Sequence, residues 1–300
     1  MKVFYSDKYT IPLPVGHKFP ISKYRLIKDG LLSRGVLRNE ELIECPIADV
    51  STVKLAHDPH YVDAVIECRL DPKMVRRIGF PQTEALPLRS LATVGGALCA
   101  AEEALENGVS GNLAGGTHHA FYDAGEGFCV FNDFAVVIMS LLSQRKVKRV
   151  AIVDLDVHQG NGNSAMLNSM ENVFIFSMHG KHNYPFIKIP STLDVALPDN
   201  ADDDTVLSLL YDNFKHVLAF EPDIILYQHG SDMLKEDAFG RLSMTLHGLE
   251  QRDNFVFSEA KQRGIPISLG QGGGYAKPIE ITVEAHIQTY SILKEVYALV

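Results

Sequence analysis

The chain has no tryptophan and only four cysteines, Cys45, Cys68, Cys99 and Cys129. They lie far apart and form no CxxC pair, which argues against structural zinc held on thiolates. A core of this size needs no disulfide staples. The N-terminal MKVFYSDKY is too polar for an export signal, so the expected compartment is a reducing cytoplasm. Also missing is any apolar run of roughly 18 residues, so no membrane-spanning helix is expected. Excess positive charge is absent too. The formal net charge is −9, which argues against a nucleic-acid partner but leaves room for an acidic protein working on a basic one. There is no internal repeat, low-complexity tract or long Pro/Gly-rich linker, and residues 1–300 read as a single domain.

What is present is an alternation of strands and helices. Short apolar runs read as buried strands: VFY near residue 4, 150–156, 173–178, 223–228 and 266–270. Helical patterns cover 93–108, 134–146, 202–221, 246–264 and 279–299. The first ends at a glycine stop, Asn132 or Asp133 caps the second, and the third opens on an acidic turn. Residues 17–107 look mostly helical, with FPQTEALPLRS (80–90) as an irregular loop carrying two prolines. The pattern is that of an α/β fold with a mainly parallel sheet.

Four polar clusters stand at glycine-rich or strand-end positions: LAGGTHHAFYDAGEGFCVFND (113–133), DLDVHQGNG (154–162), QHGSD (228–232) and GQGGGY (270–275). Beyond the carboxyl ends of parallel strands they would project to one edge, where ligands bind. If the strand stays extended through DLDVH, then Asp154, Asp156 and His158 share one face. Asp156 and His158 could chelate a metal, with Asp232 completing three protein ligands and leaving a position for water. Asp154, deeper in, needs a partner such as a histidine of the first cluster. His118 and His119 offer an acid–base pair tuned by what stands behind each ring. Tyr275, after the glycines, could donate to an oxyanion, while Phe128 and Tyr184 could line an apolar slot.

At GGTHHA, GFCVFND, DLDVHQGNG, QHGSD and GGGY, in that order, the sequence resembles the zinc-dependent histone deacetylase superfamily, which includes acetoin-utilisation and acetylpolyamine deacetylase proteins. The form DVHQGNG, with Gln159 and Asn161, and the segment 242–253 look most like the class IV branch and its bacterial relatives. The resemblance spans about residues 17 to 290. It implies a three-layer α/β/α fold around an eight-stranded, mainly parallel sheet of arginase–deacetylase type. It implies one zinc on Asp156, His158 and Asp232, and His118 paired with Asp154. It makes His119 the general base and later the acid, and Tyr275 the group that polarises the carbonyl together with zinc. Phe128 would wall an acyl-lysine channel, with Gly127, Tyr184 and Gly273 along it. A potassium ion is implied near Asp154, Asp156, His158 and Ser177. Substrates would be acyl-lysine proteins or peptides, or small acylated amines, with no membrane partner and a monomer or weak homo-oligomer as the assembly.

Three departures bear on substrate and pH. Asn161 stands where many relatives carry an aspartate, which lowers the expected pKa of His119. The 80–90 segment lacks the rim aspartate that grips a peptide backbone, although Glu84 is nearby. No long insertion narrows a channel for polyamines. Two other readings compete: an arginase-like binuclear hydrolase, disfavoured because HQGN lacks a further carboxylate, and a silent acyl-lysine binder, disfavoured because the acid–base set is intact. Among the remaining histidines, His179 at a strand end is expected to face the crevice more than His182 at the channel mouth. His17, His57, His60, His216, His247 and His286 need no function. Cys129 reads as core packing, and the run Gly272–Gly274 lacks the GK[ST] of a phosphate loop.

Overall fold

The computed structural model describes residues 1–299, and residue 300 of the expected domain lies outside the described residues. Eight strands form one sheet: β1 (Val3–Tyr5), β2 (Leu42–Glu44), β3 (Val109–Asn112), β4 (Val150–Asp154), β5 (Val173–Gly180), β6 (Leu193–Leu197), β7 (Ile224–Gln228) and β8 (Ile267–Gly270). Their order is β2-β1-β3-β8-β7-β4-β5-β6, with every pairing parallel.

The central strands are apolar on both faces because both faces are covered. Along β4, Ala151 and Val153 enter one core with Ile225 and Tyr227 of β7. Val150 and Ile152 enter the other with Ile224 and Leu226. The first core is closed by Val206, Leu210 and Phe214 of the helix Asp203–Ala219, by Val256 and Phe257 of Leu246–Gln262, and by Ile287 and Leu293 of Ile279–Tyr297. The second is closed by Val94, Ala97 and Ala101 of the helix Ala85–Asn107 and by Val136 and Val137 of Asp133–Ser143. The result is the three-layer α/β/α architecture expected.

Three strands had no apolar run to mark them. β3 is VSGN, where Gly111 lets Tyr290 approach and the Asn112 amide is satisfied by Thr93 O at 3.0 Å. β2 and β6 are half-exposed edge strands. The 80–90 segment is not an irregular loop throughout, because a helix begins within it. The helix runs from Ala85, with Pro87 in its first turn, where a missing N–H costs nothing. Of the two candidate caps, Asn132 is the one used, its side chain accepting from Ala135 N at 2.9 Å. Among the described residues no helix is long and apolar enough to cross a membrane.

Candidate active site

The segments after β3, β8, β7 and β4, four adjacent strands, carry the four polar clusters. Adjacency in a parallel sheet is what brings sequence-distant residues to one edge. The GGTHH loop is tied down by the buried carboxylate of Asp133, which accepts from Gly116 N (2.8 Å), Thr117 N (2.9 Å) and Thr117 Oγ1 (2.8 Å). On the opposite side, Arg252, fully buried, donates to Leu155 O (3.2 Å) and Gly230 O (2.8 Å), joining the DLD and QHGSD segments. Asp253 holds that guanidinium in turn, at 2.9 Å.

The strand does not continue through DLDVH. β4 ends at Asp154, and the next residues turn. The carboxylates themselves shape the turn: Asp154 Oδ1 accepts from Asp156 N (3.2 Å), Asp156 Oδ1 from His158 N (2.9 Å) and Asp232 Oδ1 from Val157 N (2.9 Å). The one-face expectation for 154, 156 and 158 is therefore replaced by a compact loop, which still gathers Asp156 and His158. His158 Nδ1 lies 3.1 Å from both Asp156 Oδ1 and Asp232 Oδ2. Donor atoms of Asp156, His158 and Asp232 all fall within 4.8 Å of one another, a group able to hold a metal ion. Gly273 seals it from the far side: its N–H donates to Asp156 Oδ2 at 2.7 Å, and a Cβ there would collide with Asp232 Oδ2.

Beside this group lie the two imidazoles, ring centroids 4.1 Å apart. His118 Nδ1 meets Asp154 Oδ2 at 2.8 Å, and His119 Nδ1 meets Asn161 Oδ1 at 2.7 Å. Both rings are buried, but their charges are pushed in opposite directions. Burial opposes charge on His118, yet Asp154 and then Asp156 outweigh it and raise its pKa. On His119 burial acts with the neighbouring His118 and His158, and the amide of Asn161 compensates little, so the pKa falls well below the ordinary value. Burial also dominates at Asp232, where, with the adjacent Asp156 carboxylate, it lifts the pKa to about 7. Burial opposes charge on His158, between the two carboxylates, but its bonds to Asp156 and Asp232 outweigh burial and push its pKa up to about 10.

A cavity of about 500 Å³ opens onto the group. His118, His119, Asp156, His158, Gly127, Phe128, Tyr184, Gly273 and Tyr275 all line it. The Phe128 ring packs 5.2 Å from Phe19 and 5.4 Å from Phe80, and the Tyr184 ring stands 5.1 Å from His119. Tyr275 is fixed through its N–H, which donates to Asp237 Oδ2 at 2.7 Å, and burial raises its phenol well above the ordinary value, so it remains a donor.

A family model described as the histone deacetylase domain matches residues 17–290. The chain belongs to the histone deacetylase family. Its similarity to an uncharacterized protein of Picosynechococcus sp. is 39 % identity over 296 residues, covering 98 % of this chain and 99 % of that one. Histone deacetylase 2 of Arabidopsis thaliana is 28 % identical over 312 residues, covering 97 % of this chain and 79 % of that one. The crystal structure of an HDAC homolog complexed with SAHA superposes with a TM-score of 0.84 at 26 % identity, covering 99 % of this chain and 84 % of that one. Membership places this histone deacetylase family protein among deacetylase-type hydrolases.

Some features of this family member escaped the sequence reading. His179 does not line the cavity; it is buried, with Nδ1 at 3.0 Å from Ser177 Oγ. His182 does line it, exposed and 3.2 Å from Asp199. Glu126, Arg77 and Arg252 carry no local signal of their roles, although Glu126 sits inside GEGFC and Arg252 inside LEQRD. Nothing local marks a charge whose partners are contributed by distant segments. Cys129 is buried with its thiol pushed up by burial, as core packing requires.

Proposed function

We propose that this protein hydrolyses an N-acyl amide, an acyl-lysine side chain in a peptide or protein or a small acylated amine, with one zinc ion on Asp156, His158 and Asp232. The single observation that carries the reading is the placement of that donor group beside two imidazoles of opposite charge tendency at one end of an apolar-walled cavity. The donor set fits a single divalent ion: one nitrogen and two carboxylates, buried and within reach of one another. Asp154, the remaining carboxylate, is engaged by His118 and by Asp156 N, which favours one ion over two. Such an ion, when bound, polarises the amide carbonyl and acidifies water.

The chain's own residues do the rest. Asn161 Oδ1 only accepts, so His119 Nδ1 carries the hydrogen and Nε2 the lone pair. Neutral at physiological pH, His119 takes the proton of the attacking water and later passes it to the leaving nitrogen. Tyr275 Oη donates to the carbonyl oxygen as it gains charge. Asp154 favours the charged form of His118 against the burial of the ring, and in that form His118 adds a positive field. The products are a carboxylate and an amine. Phe128 and Tyr184 line the channel, and Gly127 and Gly273 bring backbone close to it. Asp154 and Ser177 are cross-strand partners, both buried, and this is where the proposed potassium ion belongs. Gln159 bonds Ile189 O (2.9 Å) and Asp194 Oδ1 (2.8 Å), pinning the segment that bears Tyr184, and with Asn161 it supports a class IV-like branch.

The test is acyl release by the zinc-loaded protein from acetyl-lysine peptides, long-chain acyl-lysine peptides, acetylated polyamines and small acetylated amines. Turnover on at least one member, abolished by a chelator and restored by zinc, is expected. One zinc bound per chain with no turnover on any member would favour the silent binder.

A further inference from the structure

An amide is an ambiguous support for a catalytic imidazole. A carboxylate offers the same oxygen from either end, but an Asn side chain can rotate and present N–H₂ instead of oxygen. With Nδ2 toward His119, the ring would have to accept at Nδ1 and carry its hydrogen on Nε2, leaving no lone pair for the reacting proton. Something must hold Asn161 the right way round.

Asn161 Nδ2 donates to Glu126 Oε1 at 3.2 Å, while Asn161 Oδ1 faces His119 Nδ1 at 2.7 Å. Glu126 is itself held on several sides. Arg77 Nε donates to Oε2 at 2.6 Å, and the Tyr184 hydroxyl donates to Oε1. The backbone of Glu126 is closed into a tight turn by reciprocal bonds with Cys129, both 2.9 Å. That turn docks on the end of the helix Pro72–Ile78, where Arg77 O and Ile78 O accept from Gly127 N (3.2 Å) and Phe128 N (2.7 Å). One helix terminus thus positions the backbone of the turn and, through Arg77, its carboxylate. With a fixed pure acceptor at one end of the amide, only one orientation satisfies both ends.

We propose that Glu126 is a positioning residue for the base: anchored by Arg77 and Tyr184, it fixes the amide orientation of Asn161 and through it the Nδ1–H tautomer of His119. The proposal rests on His119 being the proton acceptor of the hydrolase reading above. Tyr184 lines the substrate cavity, so the same carboxylate joins a channel wall to the acid–base pair.

The experiment compares Glu126→Gln in the natural background and in Asn161→Asp. Gln can present either end to Asn161, so the orientation is released. The expected result is a fall in kcat of about tenfold with KM little changed, typical of losing an outer hydrogen-bond partner. In the Asn161→Asp background, where a symmetric carboxylate needs no orienting, the same change should cost less than about twofold. Equal losses in both backgrounds, or a loss confined to KM, would overturn the proposal and leave Glu126 serving Arg77 and Tyr184 alone. Should Glu126→Gln fail to fold, Glu126→Asp keeps the charge but withdraws it from Asn161, and carries the same expectation. A second readout needs no turnover. In ¹⁵N-histidine-labelled protein, the His119 resonances, assigned by their loss in His119→Gln, should report the Nδ1–H tautomer, with a mixture in Glu126→Gln. An unchanged tautomer in that variant would overturn the proposal even in a protein with no activity, whereas absent turnover by the natural chain counts only against the hydrolase reading.

Discussion

His118 and His119 are neighbours in the chain with ring centroids 4.1 Å apart and planes tilted by 50°, yet one faces a carboxylate and the other an amide. Burial disfavours charge on both rings, but Asp154 outweighs it at His118, whereas at His119 the neighbouring His118 and His158 add to it and Asn161 compensates little. A base is active only when unprotonated. If His119 is the base proposed above, its lowered pKa should keep it competent into acid, and the acidic limb of the kcat/KM profile should lie below that of an ordinary histidine. Asn161→Asp puts an opposite charge at that position. The pKa of His119 should rise and the limb should move to higher pH by about one unit or more. A pH–rate profile checks this, and an unmoved limb would refute it.

At the scale of elements, the site depends on loops that have no strand or helix of their own and are held by side chains from elsewhere. Asp133, in the first turn of the helix Asp133–Ser143, supplies both oxygens to Gly116 and Thr117 of the loop bearing the histidines. Asp133→Ala leaves those donors unpaired in a buried setting. It should cost about 3 kcal/mol in urea denaturation and lower kcat with it. On the facing loop, Gly273 has no room for a side chain against Asp232 and Asp156. Gly273→Ala must push the loop or the ligands apart, and its zinc affinity, measured by chelator competition, should fall about 10- to 100-fold. Retained affinity would show that the loop yields freely.

For the whole molecule, buried neutral histidines couple stability to pH. His57 is fully buried, accepts from Asn132 N at Nε2 (2.9 Å) and faces Tyr122 O through Nδ1 (3.2 Å), an arrangement only the neutral ring can satisfy. Burial lowers its pKa from 6.5 to about 4. The folded value lies below the unfolded one, so its stabilisation is complete above about pH 6.5 and is lost as pH falls toward 4. Gln at 57 also offers one donor and one acceptor but does not titrate. The stability of the natural chain relative to His57→Gln should therefore shrink between pH 7 and pH 4 by up to about 3 kcal/mol, read by chemical denaturation at each pH. A constant difference would refute the assignment.

Much of this protein is legible from the chain alone. Five apolar runs marked β1, β4, β5, β7 and β8, because strands buried on both faces must be apolar throughout. The spacing in DLDVHQGNG and QHGSD named the residues that meet around the metal group, because such donors are rarely clustered otherwise. Tertiary structure decided what is contributed from a distance. Edge strands β2 and β6 and the polar β3 exist through backbone pairing that leaves no periodic mark. Asp156 and His158 meet because carboxylates bend the chain after Asp154, not because a strand extends past it. Glu126 stands behind Asn161 because its turn docks on the end of the helix Pro72–Ile78, where Arg77, 49 residues away in the chain, holds its carboxylate. Sequence carries composition and local pattern, but the partner of a buried charge is fixed only when the chain has closed around it.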